Sequence, residues 1–319
     1  MAENKSAVRF QEASEADQGQ RIDNYLLKTL KNVPKSLIYR MIRKGEVRVN
    51  KGRVQATYRL KIGDMVRIPP PYQTDAVEQA VVINTELANY LKQAVLFEND
   101  TIVIINKPSG LAVHGGTGIG CGLIEALRQV RSDLTFLELA HRLDRETSGC
   151  LLLAKKRSEL IRLHALLRNG EIRKTYHALV DGQWPKRLNK VSLPLEKYFD
   201  KSGQHKVRVS AQHGKQALTT FQLLQAFREA SLIEAHPRTG RTHQIRVHAQ
   251  ISRHAIIGDQ RYHDQQRNQF FAKQYGIKRL CLHARKLSFR LEGQQIVAVA
   301  PYDWAFESAL ARLAKDQHE

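Results

Sequence analysis

Apolar residues recur at helical spacing in two short stretches near the start of the chain. The first holds Tyr25, Leu26, Leu27 and Leu30, with Asp23 placed to cap it. The second holds Leu37, Ile38, Met41 and Ile42, begins at Pro34 and stops at Gly45. Lys35, Arg40, Arg43 and Lys44 ring its other faces. Val47-Arg48-Val49 then alternates as a strand, Asn50-Lys51-Gly52 reads as a tight turn, and Met65 to Ile68 is a further strand ahead of three prolines. The pattern predicts a small domain over 18–80, a disordered tail over 1–17, and a linker with a short helix near Leu87 to Leu91.

From about residue 90 the pattern changes. Thr101 to Ile105 reads as a buried-strand run, and Cys150 to Ala154 is an unbroken apolar run of the same length. Lys174 to Val180, Leu218 to Leu224, Leu232 to Ala235 and Cys281 to Leu291 read as further strands. Helical spacing returns in Leu160, Ile161, Leu163 and Leu167, capped by Ser158 and closed by Gly170, and in Ile245, Val247 and Ile251, capped by Thr242. Strands and helices do not alternate strictly. The expected class is therefore α+β over 90–310, a mixed and largely antiparallel sheet with flanking helices.

A chain of 319 residues accommodates this two-domain reading. Its net charge of +20 favours a polyanionic partner. Residues 21–70 carry 13 Lys/Arg against three acids, half of that excess in 50 residues. No apolar run approaches the ~18–20 residues that span a bilayer. The N-terminus has no apolar signal core, so a cytoplasmic chain is expected without a membrane partner. Cys121, Cys150 and Cys281 are far apart and form no C-x-x-C pair, which argues against zinc or a disulfide framework.

Three polar segments lie where core elements would not need them. His141 to Gly149 sets Asp144 among Arg142, Arg145, Thr147 and Ser148, ahead of a turn at Ser148-Gly149. Cations and hydroxyls around a carboxylate favour its charged form, which makes Asp144 a candidate nucleophile or a structural ion pair. If Ala140 to Leu143 is extended, Arg142 and Asp144 share one side. In Arg173 to His177, Lys174 and Tyr176 share a face. Pro237 to His248 places Arg238 and Arg241 at a turn and Gln244 and His248 on one helix face. Asn106 to Gly110 puts Lys107 on a turn. The glycines after His114 match no phosphate-binding fingerprint and suggest a flexible loop near the site.

Competing chemistries fail on these residues. A phosphoaspartate enzyme wants Asp at position 146, which is Glu146. No Asp-Thr-Gly pair suits an aspartic protease, and no G-x-S-x-G supports Ser148 as nucleophile. His243 and His248 are five apart, one more than helical zinc pairs. Facing carboxylates for glycoside hydrolysis are lacking. One carboxylate, one aromatic and several arginines remain.

The order helix, basic helix, Gly, Val-Arg-Val-Asn, Lys-Gly resembles the alpha-L RNA-binding module. His-Arg-Leu-Asp-x-x-Thr-Ser-Gly, then Lys-Thr-Tyr, then Gly-Arg-Thr-His-Gln-Ile-Arg-Val-His resemble, in order, the motifs of the RluA family of pseudouridine synthases. The resemblance implies a pseudouridine synthase fold behind the RNA-binding module. It implies isomerisation of uridine in large-subunit (23S) ribosomal RNA or its assembling particle, without cofactor or metal, by a monomer. Asp144, Tyr176 and Arg246 take the family's catalytic positions. Arg142 matches the arginine that fills the space of a flipped base. Lys107, Arg238 and Arg241 become phosphate contacts, and Lys35, Arg40, Arg43 and Lys44 the basic face of the module. Two alternatives stay open: a non-catalytic RNA-binding or assembly protein, and an enzyme acting on transfer RNA or other ribosomal uridines.

Overall fold

The computed structural model of the chain describes residues 8–30, 33, 35–70, 83–115, 121–200 and 205–316. The chain divides into two compact units. One comprises Met1–Val82 with Lys156–Ser158, the other Ile83–Lys155 with Glu159–Glu319.

In the first unit the elements are β1 (Arg9–Glu12), α1 (Ile22–Thr29), α2 (Lys35–Lys44), β2 (Arg48–Val49), β3 (Gly52–Arg53) and β4 (Met65–Ile68). The strands form a sheet in the order β1-β4-β2-β3. Ile22, Leu26, Ile38, Met41, Val47 and Val66 make its buried centre. Two expectations are corrected here. The tail over 1–17 includes a strand, because β1 finds four backbone partners along β4 although all its side chains are exposed. Asp23 does not cap α1 but lies inside it, after Arg21 at the cap position. Its carboxylate takes Arg21 Nη2 at 2.6 Å and the hydroxyl of Tyr39, on α2, at 2.7 Å, so it joins the two helices. Asn50 and Lys51 both have positive φ, as a two-residue turn between β2 and β3 requires. Arg40, Arg43 and Lys44 are exposed on α2; Pro34 and the side chain of Lys35 lie outside the described residues.

The second unit runs α3 (Thr85–Gln93), β5 (Val95–Glu98), β6 (Ile102–Lys107), α4 (Leu123–Val130), β7 (Glu138–Leu139), β8 (Ser148–Ala154) and α5 (Arg157–Arg168). There follow β9 (Arg173–Asp181), β10 (Lys190–Ser192), β11 (Leu195–Phe199), β12 (His205–Val209), β13 (Leu218–Ala226), β14 (Ala230–Pro237) and α6 (Gln244–Ile251). The chain closes with α7 (Gln265–Tyr275), β15 (Leu282–Leu291), β16 (Gln294–Val299) and α8 (Trp304–Lys315). A sheet of ten strands runs β10-β13-β14-β9-β15-β8-β6-β5, with β16 also on β15 and β7 also on β8; β11 and β12 pair separately. Every pairing in the large sheet is antiparallel except β8 with β15. The class is α+β with a mixed, mostly antiparallel sheet.

The parallel pair decides where Asp144 goes. His283 registers with Ser148 and Ala284 with Gly149. Gly149 has φ +107, and a Cβ on it would stand 2.3 Å from the carbonyl oxygen of Ala284. Only glycine allows that approach. Ser148-Gly149 is therefore the start of β8 and not the expected turn; the turn lies at Arg145-Glu146.

Helix starts are corrected too. Ser158 sits inside α5, which begins at Arg157, and Ile161 is exposed rather than inward. α6 begins at Gln244 with His243, not Thr242, at its cap, and Ile251 is exposed.

Candidate active site

Four segments meet in a cleft of about 1130 Å³, lined by residues that include Arg142, Asp144, Tyr176, Arg241, His243, Arg246 and Asp259. Pockets for single small ligands run to ~1,000 Å³, so the cleft has room for a nucleotide with part of its neighbours. Nine Lys/Arg and three acids line it, a field that draws in an anion.

Asp144 comes from the loop ahead of β8. Leu143 is buried while Arg142 is exposed and Asp144 half-buried, so Arg142 and Asp144 face out together. Tyr176 comes from β9. It is buried and lines the cleft with Lys174, two positions back on the same face. Thr175 and His177 take the other face, where His177 meets Glu234 at 3.2 Å. Burial, then the charge of Asp144, raises the pKa of the Tyr176 phenol, which stays protonated. Arg246 comes from α6, whose first turns are buried.

Arg246 lies between two carboxylates. Nε and Nη2 form a fork on Asp259 at 2.7 and 2.8 Å, and Nη1 reaches Asp144 Oδ2 at 3.0 Å. Burial opposes its charge, yet the two carboxylates raise its pKa. His243 Nε2 stands 3.7 Å from the same Oδ2. Among the described residues no hydrogen bond engages Asp144 Oδ1, and the Asp144 side chain lines the cleft, 27% exposed.

The loop that carries Asp144 is braced from beneath. Lys107 Nζ donates to the carbonyls of Pro108, Leu111 and Arg145 at 2.8, 2.7 and 2.9 Å. Gly110 N–H donates to the Arg145 carbonyl at 3.0 Å, and Ser109 Oγ to that of Glu146 at 2.7 Å. Lys107 is the last residue of β6 and fully buried. The expectation that it stands on a turn and contacts phosphate is corrected: the amine is fully buried, bonds three carbonyls inside the protein, and has its pKa pushed down to about 7 by burial.

Asp259 and Tyr262 carry much of this geometry and sequence reasoning missed them. Gly258, at φ +81, would place a Cβ 1.8 Å from the Arg279 carbonyl oxygen, so glycine is required for Asp259 to sit where it does. Asp259 Oδ1 also accepts the N–H groups of Arg261 and Tyr262, at 2.9 and 3.2 Å. The available signal was a carboxylate directly after Ile256-Ile257-Gly258, an apolar context in which an acid needs a partner.

The remaining sequence candidates are dispersed. Arg241 is exposed, lines the cleft and holds the Gln216 carbonyl at 3.1 Å. Arg238 is exposed and lies outside the lining. Gln244 and His248 both bond Thr219 Oγ1 at 3.0 Å, inside the protein. His114 lines the cleft, but residues 116–120 of the glycine-rich loop lie outside the described residues.

Comparison with known proteins settles the family. The model described as RNA pseudouridylate synthase matches residues 101–250, which span Asp144, Tyr176 and Arg246. A ribosomal large subunit pseudouridine synthase C from Haemophilus ducreyi is 48% identical over 314 residues, 97% of each chain. The chain belongs to the RluA family of pseudouridine synthases. The counterpart of the same name in Escherichia coli is 48% identical over 92% of this chain and 93% of its own. An S4 domain model matches residues 20–66. Among solved structures, human RNA pseudouridylate synthase domain containing 4 superposes with a TM-score of 0.59 at 28% identity, over 72% of this chain and 96% of that one. As a pseudouridine synthase the chain is an isomerase acting on RNA. The cleft that Arg142 and Asp144 border has the size and charge to take a nucleotide within a polymer.

Proposed function

We propose that this chain converts uridines of large-subunit ribosomal RNA to pseudouridine, with Asp144 as the reacting carboxylate. The name and near-complete coverage of the relatives, and the S4 domain, support the substrate. The observation that carries the role of Asp144 is its place in the cleft lining with Tyr176, with Oδ2 held by Arg246 Nη1 at 3.0 Å.

The reaction is an isomerisation. The N1–C1′ bond breaks, the base turns, a C5–C1′ bond forms, and the proton leaving C5 is balanced by one gained at N1. Asp144 supplies the carboxylate, by attack at C1′ or C6 or by removing a ribose proton. Arg246, locked by Asp259, fixes its position. Tyr176 stacks under the base, worth about 1–3 kcal/mol. A base within a helix is extruded first, at a cost of a few kcal/mol. Arg142, exposed beside Asp144, enters the space it leaves. Arg238 and Arg241 contact phosphates near the cleft, and Lys35, Arg40, Arg43 and Lys44 do so on the S4 domain. The chain acts as a cytoplasmic monomer on 23S RNA, free or in the assembling subunit.

Pseudouridine mapping of ribosomal RNA from cells lacking the chain tests this reading. Specific large-subunit sites should vanish, return with the wild-type chain, and not return with Asp144→Asn. Full modification in those cells favours a binding or assembly role, and losses confined to transfer RNA or other ribosomal sites redirect the substrate.

A further inference from the structure

His243 takes a left-handed conformation, φ +52, at the start of α6. A non-glycine residue held there costs of the order of 1–3 kcal/mol, and such strain gathers at functional sites. The strain is not repaid by capping, since the side chain accepts no N–H from the helix. The imidazole instead points back into the cleft. Nδ1 lies 2.7 Å from the Tyr262 hydroxyl and Nε2 lies 3.7 Å from Asp144 Oδ2.

Tyr262 is the partner that bears on the tautomer of His243. Its oxygen accepts the N–H of Val207 at 2.9 Å, and when its own hydrogen goes to His243 Nδ1 the imidazole N–H sits on Nε2. In that tautomer the N–H lies on the side of Asp144 Oδ2, 3.7 Å away and beyond hydrogen-bond length. Burial pushes the histidine pKa down to about 4, so the ring is neutral and acts as a dipole. The same tyrosine lies edge-on to the imidazole, at 5.5 Å between centroids, and under the Arg246 guanidinium, 5.1 Å from its ring centre. One aromatic thus packs against both groups that flank Oδ2.

We infer that His243 is a positioning residue for the reaction: its imidazole, oriented by the Tyr262 hydroxyl, flanks Asp144 Oδ2 at 3.7 Å and steers the carboxylate toward the nucleotide. The inference rests on the reading of Asp144 as the reacting carboxylate.

Two substitutions separate this role from a merely structural one. Asparagine tolerates the left-handed conformation and ends where Nδ1 stands, so His243→Asn keeps the helix start but cannot reach Asp144. Glutamine extends to the position of Nε2 and restores an N–H there. With full-length protein and a large-subunit RNA transcript, His243→Asn should keep its melting temperature and KM but lose about 10–100-fold in kcat, the scale of a misplaced reacting group. His243→Gln should recover most of that kcat. Tyr262→Phe also strands the Val207 N–H and should lose some stability, but its kcat measured where it is folded should fall, and the double variant His243→Asn/Tyr262→Phe should have a kcat no worse than His243→Asn, because both act on it through one contact. The inference is overturned if His243→Asn keeps wild-type kcat, if His243→Gln is as slow as His243→Asn, or if the two losses multiply. Failure of the wild-type chain, measured alongside, to form pseudouridine would instead overturn the proposed function.

Discussion

Arg246 meets Asp144 at 3.0 Å across 102 residues of chain, using the guanidinium nitrogen that its fork on Asp259 leaves over. The two carboxylates are unequal. The side chain of Asp259 is 0% exposed and that of Asp144 27%. The buried acid fixes the arginine, and the arginine presents a fixed donor to the acid that lines the cleft. This division holds Asp144 Oδ2, while among the described residues no hydrogen bond engages Oδ1.

Replacing Asp144 by asparagine preserves shape but removes the charge and the basic oxygen. Pseudouridine formation should fall by at least about 10²–10⁴-fold, the range for loss of a reacting acid–base group. RNA affinity, measured by filter binding, should stay near wild type. Turnover within tenfold of wild type would refute the assignment.

Arg246→Lys is not a conservative change here. A single ammonium cannot serve Asp259 through a fork and Asp144 through a third nitrogen. Asp259 is then left buried with half its partner. Urea denaturation should show a loss of about 2–4 kcal/mol, approaching the cost of breaking a buried pair. Turnover should fall with it. Loss of turnover at unchanged stability would mean that Asp259 does not anchor the arginine.

The sequence disclosed the parts of this arrangement unevenly. The apolar runs of β6 and β8 were legible because these strands are buried on both faces. Lys107 was misplaced because Pro108 and Gly110 signalled a turn one residue early; three carbonyls keep the lysine inside the strand end. β1 gave no signal, since all four of its side chains are exposed and only backbone pairing holds it. Asp144, Tyr176 and Arg246 were found through three motifs. Asp259 and Tyr262 were not, because they belong to no periodic pattern and acquire their roles only through contacts with residues distant in sequence.

The basic helix α2 offers a separate test. Arg43 and Lys44 are exposed near its end. If they neutralise phosphates, substituting each by alanine should weaken RNA binding across sequences and reduce the slope of log affinity against log salt by about 1. An unchanged slope in the double variant would remove α2 from the RNA interface.

Three histidines make stability sensitive to mild acid. His141 Nε2 accepts the Leu152 N–H at 3.1 Å, and His283 joins Ser148 Oγ at 2.9 Å to the Ala300 carbonyl at 3.2 Å. Burial pushes the pKa of His141 down to about 3, and those of His243 and His283 to about 4. Unfolded histidine titrates near 6.5. Below that pH the unfolded chain binds protons that the folded chain refuses, so this contribution is complete above about 6.5 and is lost as pH falls toward 4. Between pH 7 and 5 the loss should be of the order of 1–2 kcal/mol per histidine. A urea midpoint that does not move over this range would contradict the neutral assignment.

Gly149 and Gly170 both have positive φ, but only one is crowded. A Cβ on Gly149 meets the Ala284 carbonyl oxygen at 2.3 Å, whereas one on Gly170 meets nothing within 4 Å. Gly170→Ala should therefore cost only the conformational penalty, about 1 kcal/mol. Gly149→Ala adds a clash with backbone that cannot move without parting β8 from β15, and should cost over about 4 kcal/mol. The parallel pair also sets the height of the Asp144 loop. Any folded Gly149→Ala protein should thus lose turnover beyond its loss of stability, while folded Gly170→Ala keeps it. Thermal denaturation and single-turnover pseudouridine formation on both variants decide the matter. Equal effects of the two substitutions would mean that the approach of Ala284 to Gly149 does not hold the carboxylate in place.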